Sequence, residues 1–475
     1  MKLGRLTLPL AITLLLAASL NAQNVVAQWN AIASTTIVTN AKEASVASGV
    51  WFAYVHIAVF DAVNAIDHRF QPYLFTTNPP PGTNKDAAAV AAAHRVLVNY
   101  FPSQQTTLDA DFAASIATIS DTPANISAGI AVGEASALAL ITARANDGLL
   151  ANVPYTPPVG PGYWLPTPPA FGLPLTPWLG QMVPFTMSSA AQFFPDEGPD
   201  ALDSQQWIDD YNQVMALGAI NSTVRTPQQT EIGLFWTEHT GQQYARAFRN
   251  LATQKGLATS DTARLMAMLW AGYADAGIGC WNAKFAFSFW RPVTAIQVGG
   301  GNPALTADPN WLPLAKTPSH PEYPAAHGCV TGTVSTILAG YFGTPNLAFS
   351  VDSLVTNTTH NFTSTSDLMH EVENARIYAG FHYYHSVIQG RVLGLKVGDQ
   401  LMQRYFTAIL EGNGDQLELF GSAPLPLTAG QPTPAGSCPA RHCLRGATFS
   451  GCCGPFRVLG TDRLGACSVL QRCVN

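Results

Sequence analysis

Cys280-Trp-Asn-Ala-Lys284-Phe-Ala-Phe-Ser-Phe-Trp-Arg291-Pro292 sets two cations among five aromatic side chains. Charged residues make up only 11% of the 475-residue chain, so two cations this close stand out. A cation in apolar surroundings either bends its tip out to solvent or faces an anion, because an unpaired buried charge is expensive. Just upstream, residues 259–281 repeat apolar positions at three- and four-residue intervals, the period of a helix. Lys284 and Arg291 are seven apart, two helical turns, which would put both on one side. On this pair alone, snorkelling and anion binding both stay open.

Working outward, the helical period recurs in 46–67, 86–101 and 124–146, within an Ala-rich region that shows no alternation with a period of two. It returns in 325–341, 366–379 and 384–410, after an interruption over 299–320. Between the two helical regions, prolines recur from Pro154 to Pro184, which predicts an irregular segment. Its Trp164, Phe171 and Trp178 are expected to pack it over the helices. The predicted fold class is all-α, built from helical bundles over residues 23–420.

The ends of the chain differ in kind. Lys2 and Arg5 precede an apolar run over 6–20, and Leu20-Asn21-Ala22 suits cleavage, so residues 1–22 read as a signal peptide of a secreted protein, extracellular or periplasmic. No later stretch has about twenty uninterrupted apolar residues, so no membrane span is expected after its removal. A net charge of -6 excludes a nucleic-acid binder, which needs a basic face, and 47% hydrophobic content excludes disorder. Residues 421–437 have linker composition, rich in Pro, Gly and Ala. Residues 438–475 hold Cys438, Cys443, Cys452, Cys453, Cys467 and Cys473, six of the eight cysteines. Behind an export signal such density predicts a small disulfide-rich module, with an order that looks like an inhibitor cystine knot. A zinc site is the alternative, with only His442 nearby.

Two further segments concentrate polar groups. His320-Pro-Glu-Tyr-Pro324-Ala-Ala-His327-Gly328 leads into an apolar helix. Proline suits a helix start, and the free N–H groups there favour an anion. His327 falls in that first turn, where a neutral imidazole can act as acid or base. Ala375-Arg376-Ile-Tyr-Ala-Gly380-Phe-His382 brings an arginine and a histidine six apart, with Gly380 leaving room for close backbone approach. His385 supports His382 or simply packs. Two arginines and a lysine supply donors suited to a tetrahedral oxyanion. Cys280 and Cys329 flank the segments and are expected to face each other as small buried residues, with a disulfide as the alternative. The three segments together predict one pocket in which Lys284, Arg291, Arg376, His327 and His382 hold vanadate or phosphate.

These segments resemble the motifs of the vanadium-dependent haloperoxidases and the type 2 phosphatidic acid phosphatases. Lys, six residues, Arg-Pro is met by Lys284, Arg291 and Pro292. Pro-Ser-Gly-His appears as Pro324-Ala325-Ala326-His327, and Ser-Arg, five residues, His, three residues, Asp as Ala375-Arg376, His382 and Ser386. The stretch 56–67 also looks haloperoxidase-like, so the resemblance covers about residues 25 to 410. It implies a helical-bundle fold and a vanadate cofactor bound through His382. Lys284, Arg291, Arg376 and the Ala326 N–H would hold the vanadate oxygens. His327 would take a proton from hydrogen peroxide, and Lys284 would polarise it for attack by halide, with an unknown organic acceptor. Trp281 matches an aromatic position of chloroperoxidases and His320 a histidine of bromoperoxidases, so bromide or iodide is the expected halide. Ala325 lacks the motif hydroxyl, Ala326 would be strained at a positive φ, and Ser386 replaces the aspartate that orients the histidine in phosphatases. The rivals are an acid phosphatase working through a phosphohistidine and a catalytically inactive scaffold. The sequence does not single out the upstream carboxylate that steadies Arg376; Asp61 and Asp275 are candidates.

Overall fold

Apolar residues at helical spacing close into thirteen α-helices among the residues described by the computed structural model, 24–409 and the backbone of two short strands near the C-terminus. The chain divides into two units, 1–418 and 419–475. In the second, strands β3 (Arg457–Thr461) and β4 (Cys467–Leu470) pair antiparallel. The signal peptide, the linker and the disulfides of the cysteine module lie outside the described residues.

In the first unit, α1 (Val25–Ser34) runs into a π-helical turn, followed by α2 (Ser48–Asp67), α3 (Lys85–Tyr100), α4 (Gln105–Ala117) and α5 (Pro123–Ala143). Asn24, Asn84 and Thr122 each cap a first turn, and Pro123 opens α5. A second series comprises α6 (Gln205–Gly218), α7 (Pro227–Phe235), α8 (Thr240–Gln254), α9 (Thr259–Phe287) and α10 (Pro292–Val298). After an irregular stretch come α11 (Ala326–Phe342), α12 (Thr365–Tyr378) and α13 (Tyr384–Arg404). The 29-residue α9 is buried along most of its length and is shared, packing against α2 on one side and α11 on another. At 1.5 Å per residue it is roughly 43 Å long.

Two expectations about the fold need correction. Strands β1 (Phe349–Ser353) and β2 (Thr358–Phe362) form an antiparallel hairpin in a part expected to hold no strand. Its Phe349, Val351 and Ser353 are buried in alternation, too short a run to stand out against the helical period. Phe171 is 64% exposed at a turn where its φ is 46°, whereas Trp164 and Trp178 pack as expected. By length and composition alone α2 and α5 could cross a membrane, a test that a buried core helix also passes. For α2, 94% of the apolar window is buried inside the protein.

The seam between α11 and α13 sets the spacing of the motifs they carry. A Cβ on Gly394 would lie 2.1 Å from the Cys329 carbonyl, and one on Gly390 2.4 Å from the Ala325 carbonyl. Only glycine permits backbones this close, and the Ala325 N–H donates to the Ser386 carbonyl at 3.0 Å across the same seam. Gly394→Val should force the helices apart and lower stability by about 3 kcal/mol, read as an earlier midpoint in chemical denaturation.

Candidate oxyanion site

Lys284 occupies the last turn of α9, which stops because Ser288 adopts a left-handed conformation (φ 51°) and returns its N–H to the Lys284 carbonyl. The helix therefore does not continue to Arg291, and the two-turn argument for their alignment fails. Arg291 reaches the site from another element, as the residue preceding Pro292, which opens α10. His320 and Glu322 come from the irregular segment before α11, and His327 from the first turn of α11. Arg376 lies in the last turn of α12, and His382 in the link to α13. That link turns at Gly380 (φ 77°), where a Cβ would lie 2.6 Å from the Gly218 carbonyl.

These side chains converge. The Lys284 Nζ donates to the carbonyls of Pro321 (3.0 Å) and Glu322 (2.7 Å). Arg291 donates through Nε to the His320 carbonyl (2.9 Å) and through Nη1 to the Phe381 carbonyl (2.8 Å). Its Nη1 also reaches His382 Nε2 at 3.1 Å, and its Nη2 reaches His320 Nδ1 at 3.0 Å. Arg376 donates through Nη1 to the Trp236 carbonyl (2.7 Å), while its Nε is buried without a partner. His382 Nδ1 lies 2.7 Å from Glu322 Oε1, and His327 Nε2 lies 3.2 Å from Thr240 Oγ1. Lys284, Arg291 and Glu322 are fully buried, Arg376 and His382 nearly so, and His327 keeps partial exposure.

The charge balance follows from burial. Three cations face one carboxylate, Glu322, and burial opposes every charge. It lowers Lys284 to about 8, with Arg291 adding repulsion, and raises Glu322 to about 7 against the pull of Lys284 and Arg291. Burial first, and the neighbouring cations second, hold His320, His327 and His382 well below the ordinary imidazole value, so all three are neutral. The start of α11 adds further positive character: Ala325 is buried and provides no side-chain cap, which leaves first-turn N–H groups to other acceptors. Ala326 has ordinary helical backbone, not a positive φ, so the glycine-to-alanine change brings no backbone strain. A buried excess of positive charge, an unpartnered Arg376 Nε and a neutral imidazole nitrogen form a donor set that fits a tetrahedral oxyanion such as vanadate.

Other expected residues fall differently. Neither Asp61 nor Asp275 steadies Arg376. Asp61 accepts the backbone N–H groups of Tyr73, Leu74 and Phe75, and Asp275 those of Phe185, Thr186 and Met187. Each carboxylate is consumed in closing a turn, so neither has an oxygen facing the site. His385 does not support His382. Its ring stacks at 5.8 Å on Tyr323 and meets the Gly198 carbonyl. Trp281 and His320 are neighbours, with ring centroids 4.8 Å apart. Cys280 and Cys329 face each other as buried free thiols, their Sγ atoms 2.7 Å apart. Glu322 is the group that sequence reasoning missed. Its one available signal was an acidic residue between His320 and His327 in a chain poor in charge.

Comparison with known proteins supports the same region. A family model described as the VCPO second helical-bundle domain matches residues 264–411. Vanadium chloroperoxidase from Curvularia inaequalis is 31% identical over 173 residues, covering 30% of this chain and 28% of that protein's length. Among solved structures, a bacterial vanadium-dependent iodoperoxidase superposes with a TM-score of 0.72 at 21% identity, over 82% of this chain and 98% of that one. A bacterial vanadium-dependent chloroperoxidase in its holo form gives 0.62 at 16% identity, over 78% and 93%. Residues 264–411 thus form a second helical bundle of the vanadium chloroperoxidase type, carried in a chain with the vanadium-dependent haloperoxidase fold.

Proposed function

We propose that this protein is a vanadate-dependent haloperoxidase that oxidises halide with hydrogen peroxide. The observation that carries this reading is the burial of Lys284, Arg291 and Arg376 around the accepting nitrogen of His382, with Glu322 as their one carboxylate. When bound, vanadate supplies the Lewis-acid centre at which peroxide is activated. His382 Nε2 would ligate it, while the three cations and the Ala326 N–H neutralise its oxygens. His327 is neutral and partly exposed, placed to take a proton from incoming peroxide. Burial keeps the Lys284 ammonium poorly hydrated, which strengthens its pull on a bound oxygen. Trp281 and His320 form the proposed halide environment, with bromide or iodide favoured and an organic acceptor of unknown identity. Residues 1–22 support action outside the cytoplasm.

A second reading, phosphoryl transfer through a phosphohistidine, gains from one observation. Ser386 cannot orient His382 as an aspartate would, but Glu322 Oε1 lies 2.7 Å from its Nδ1 and offers a carboxylate instead. The loss of the motif aspartate therefore no longer separates the two chemistries.

Purified protein loaded with orthovanadate should halogenate a dye with bromide or iodide and peroxide, and His382→Ala should abolish both turnover and vanadate uptake. His327→Ala should keep vanadate uptake but slow turnover by about 100-fold or more, as loss of a general base does. Phosphomonoester hydrolysis without vanadate, together with no halogenation in its presence, would favour the second reading.

A further inference from the structure

Arg291 Nη1 reaches His382 Nε2 at 3.1 Å, and a guanidinium has donors but no lone pair to offer. Nε2 is therefore the accepting nitrogen, and the ring proton sits on Nδ1, 2.7 Å from Glu322 Oε1. The same oxygen accepts the Tyr383 N–H at 3.2 Å, so it holds both the ring and the backbone that follows it. Residue 322 is itself fixed: its carbonyl accepts Lys284 Nζ at 2.7 Å, and its N–H donates to the Phe289 carbonyl at 2.9 Å. Glu322 is 0% and His382 2% exposed, which leaves bulk water little part in orienting the ring.

We propose that Glu322 is the positioning residue of His382, holding the imidazole in its Nδ1–H form so that the Nε2 lone pair is kept for the central atom of an oxyanion. The proposal rests on the oxyanion-site reading. Which ring nitrogen is free is set by the hydrogen bond the other one makes, and a carboxylate behind a ligating histidine both orients it and raises its basicity. Glu322 acts through His382 and the backbone that carries it, not on the oxyanion itself. Ser386 Oγ is buried without a direct partner, and Ser386 lines the same small cavity as Glu322. Position 386 is thus the place from which a second carboxylate could take over.

The test uses the full chain with isotope-labelled histidine, with His382→Ala assigning the resonance. Nitrogen NMR without vanadate should show a proton on Nδ1 and none on Nε2 of wild-type His382. Glu322→Leu should lose that pattern and bind orthovanadate about 10- to 100-fold more weakly by calorimetry. Glu322→Gln, whose side-chain carbonyl still accepts, should keep the pattern with a smaller loss, and Glu322→Leu/Ser386→Asp should regain part of both. A proton on Nε2 in the wild type overturns the proposal, whether or not the variants fold. So does Glu322→Leu with lowered thermal stability but unchanged ring pattern and affinity, the mark of a purely structural contact. If the wild type takes up no orthovanadate, the functional reading fails, and the nitrogen pattern still decides the role of Glu322.

Discussion

Three cations held out of water with a single carboxylate among them set the terms for everything around this site. Stripping an ion of water costs several kcal/mol even after a protein relaxes around it. Here backbone carbonyls offset much of that cost: those of Pro321 and Glu322 for Lys284, His320 and Phe381 for Arg291, and Trp236 for Arg376. Helices keep their carbonyls for themselves, so the acceptors must come from chain between helices. The site is accordingly built where α9, α12 and the segment before α11 give way to irregular backbone.

Irregular backbone holds charges in place only if it is rigid. Residues 299–325 gain that rigidity from α6, whose Trp207 Nε1 donates to the Gly300 carbonyl and whose Tyr211 hydroxyl donates to the Thr306 carbonyl. Trp311 Nε1 answers in the other direction, donating to the Met215 carbonyl. Behind them Trp207, Phe289, Trp290 and Tyr383 form an aromatic cluster, with Trp207 and Tyr383 centroids 4.8 Å apart. Tyr383 directly follows His382, and Trp290 directly precedes Arg291. The cluster therefore fixes the two residues whose side chains meet at His382 Nε2.

Helices were legible because each keeps its apolar period over many turns; the observed α2, α3, α11 and α12 begin and end within two residues of the expected bounds. What composition could not reveal was where a period breaks without glycine or proline. Ser288 ends α9 in a left-handed turn that few serines adopt, so Lys284 and Arg291 looked like neighbours on one helix when they belong to two elements. The cationic members of the site were legible because charge is scarce in this chain. Their counter-group was not, since Glu322 and His382 are sixty positions apart and nothing local marks the pair. Asp61 and Asp275 misled for a related reason: a buried carboxylate can be satisfied mainly by backbone N–H groups, joined at Asp275 by the Thr186 hydroxyl, and these leave little trace in the sequence.

The shared helix α9 ties the two helical series into one thermodynamic body. The region matched as a second bundle starts at residue 264, inside α9, yet the same helix stacks Trp270 on Phe52 of α2 at 4.0 Å. It also packs Tyr273 where a Cβ on Gly49 would lie within 2.2 Å. Neither series can melt alone without stripping one flank of α9, so the stability of each depends on the other. Lys284 rides on the end of that helix. A core change at Phe52, far from any oxyanion, is therefore felt at the site as a change in how often the pocket exists at all.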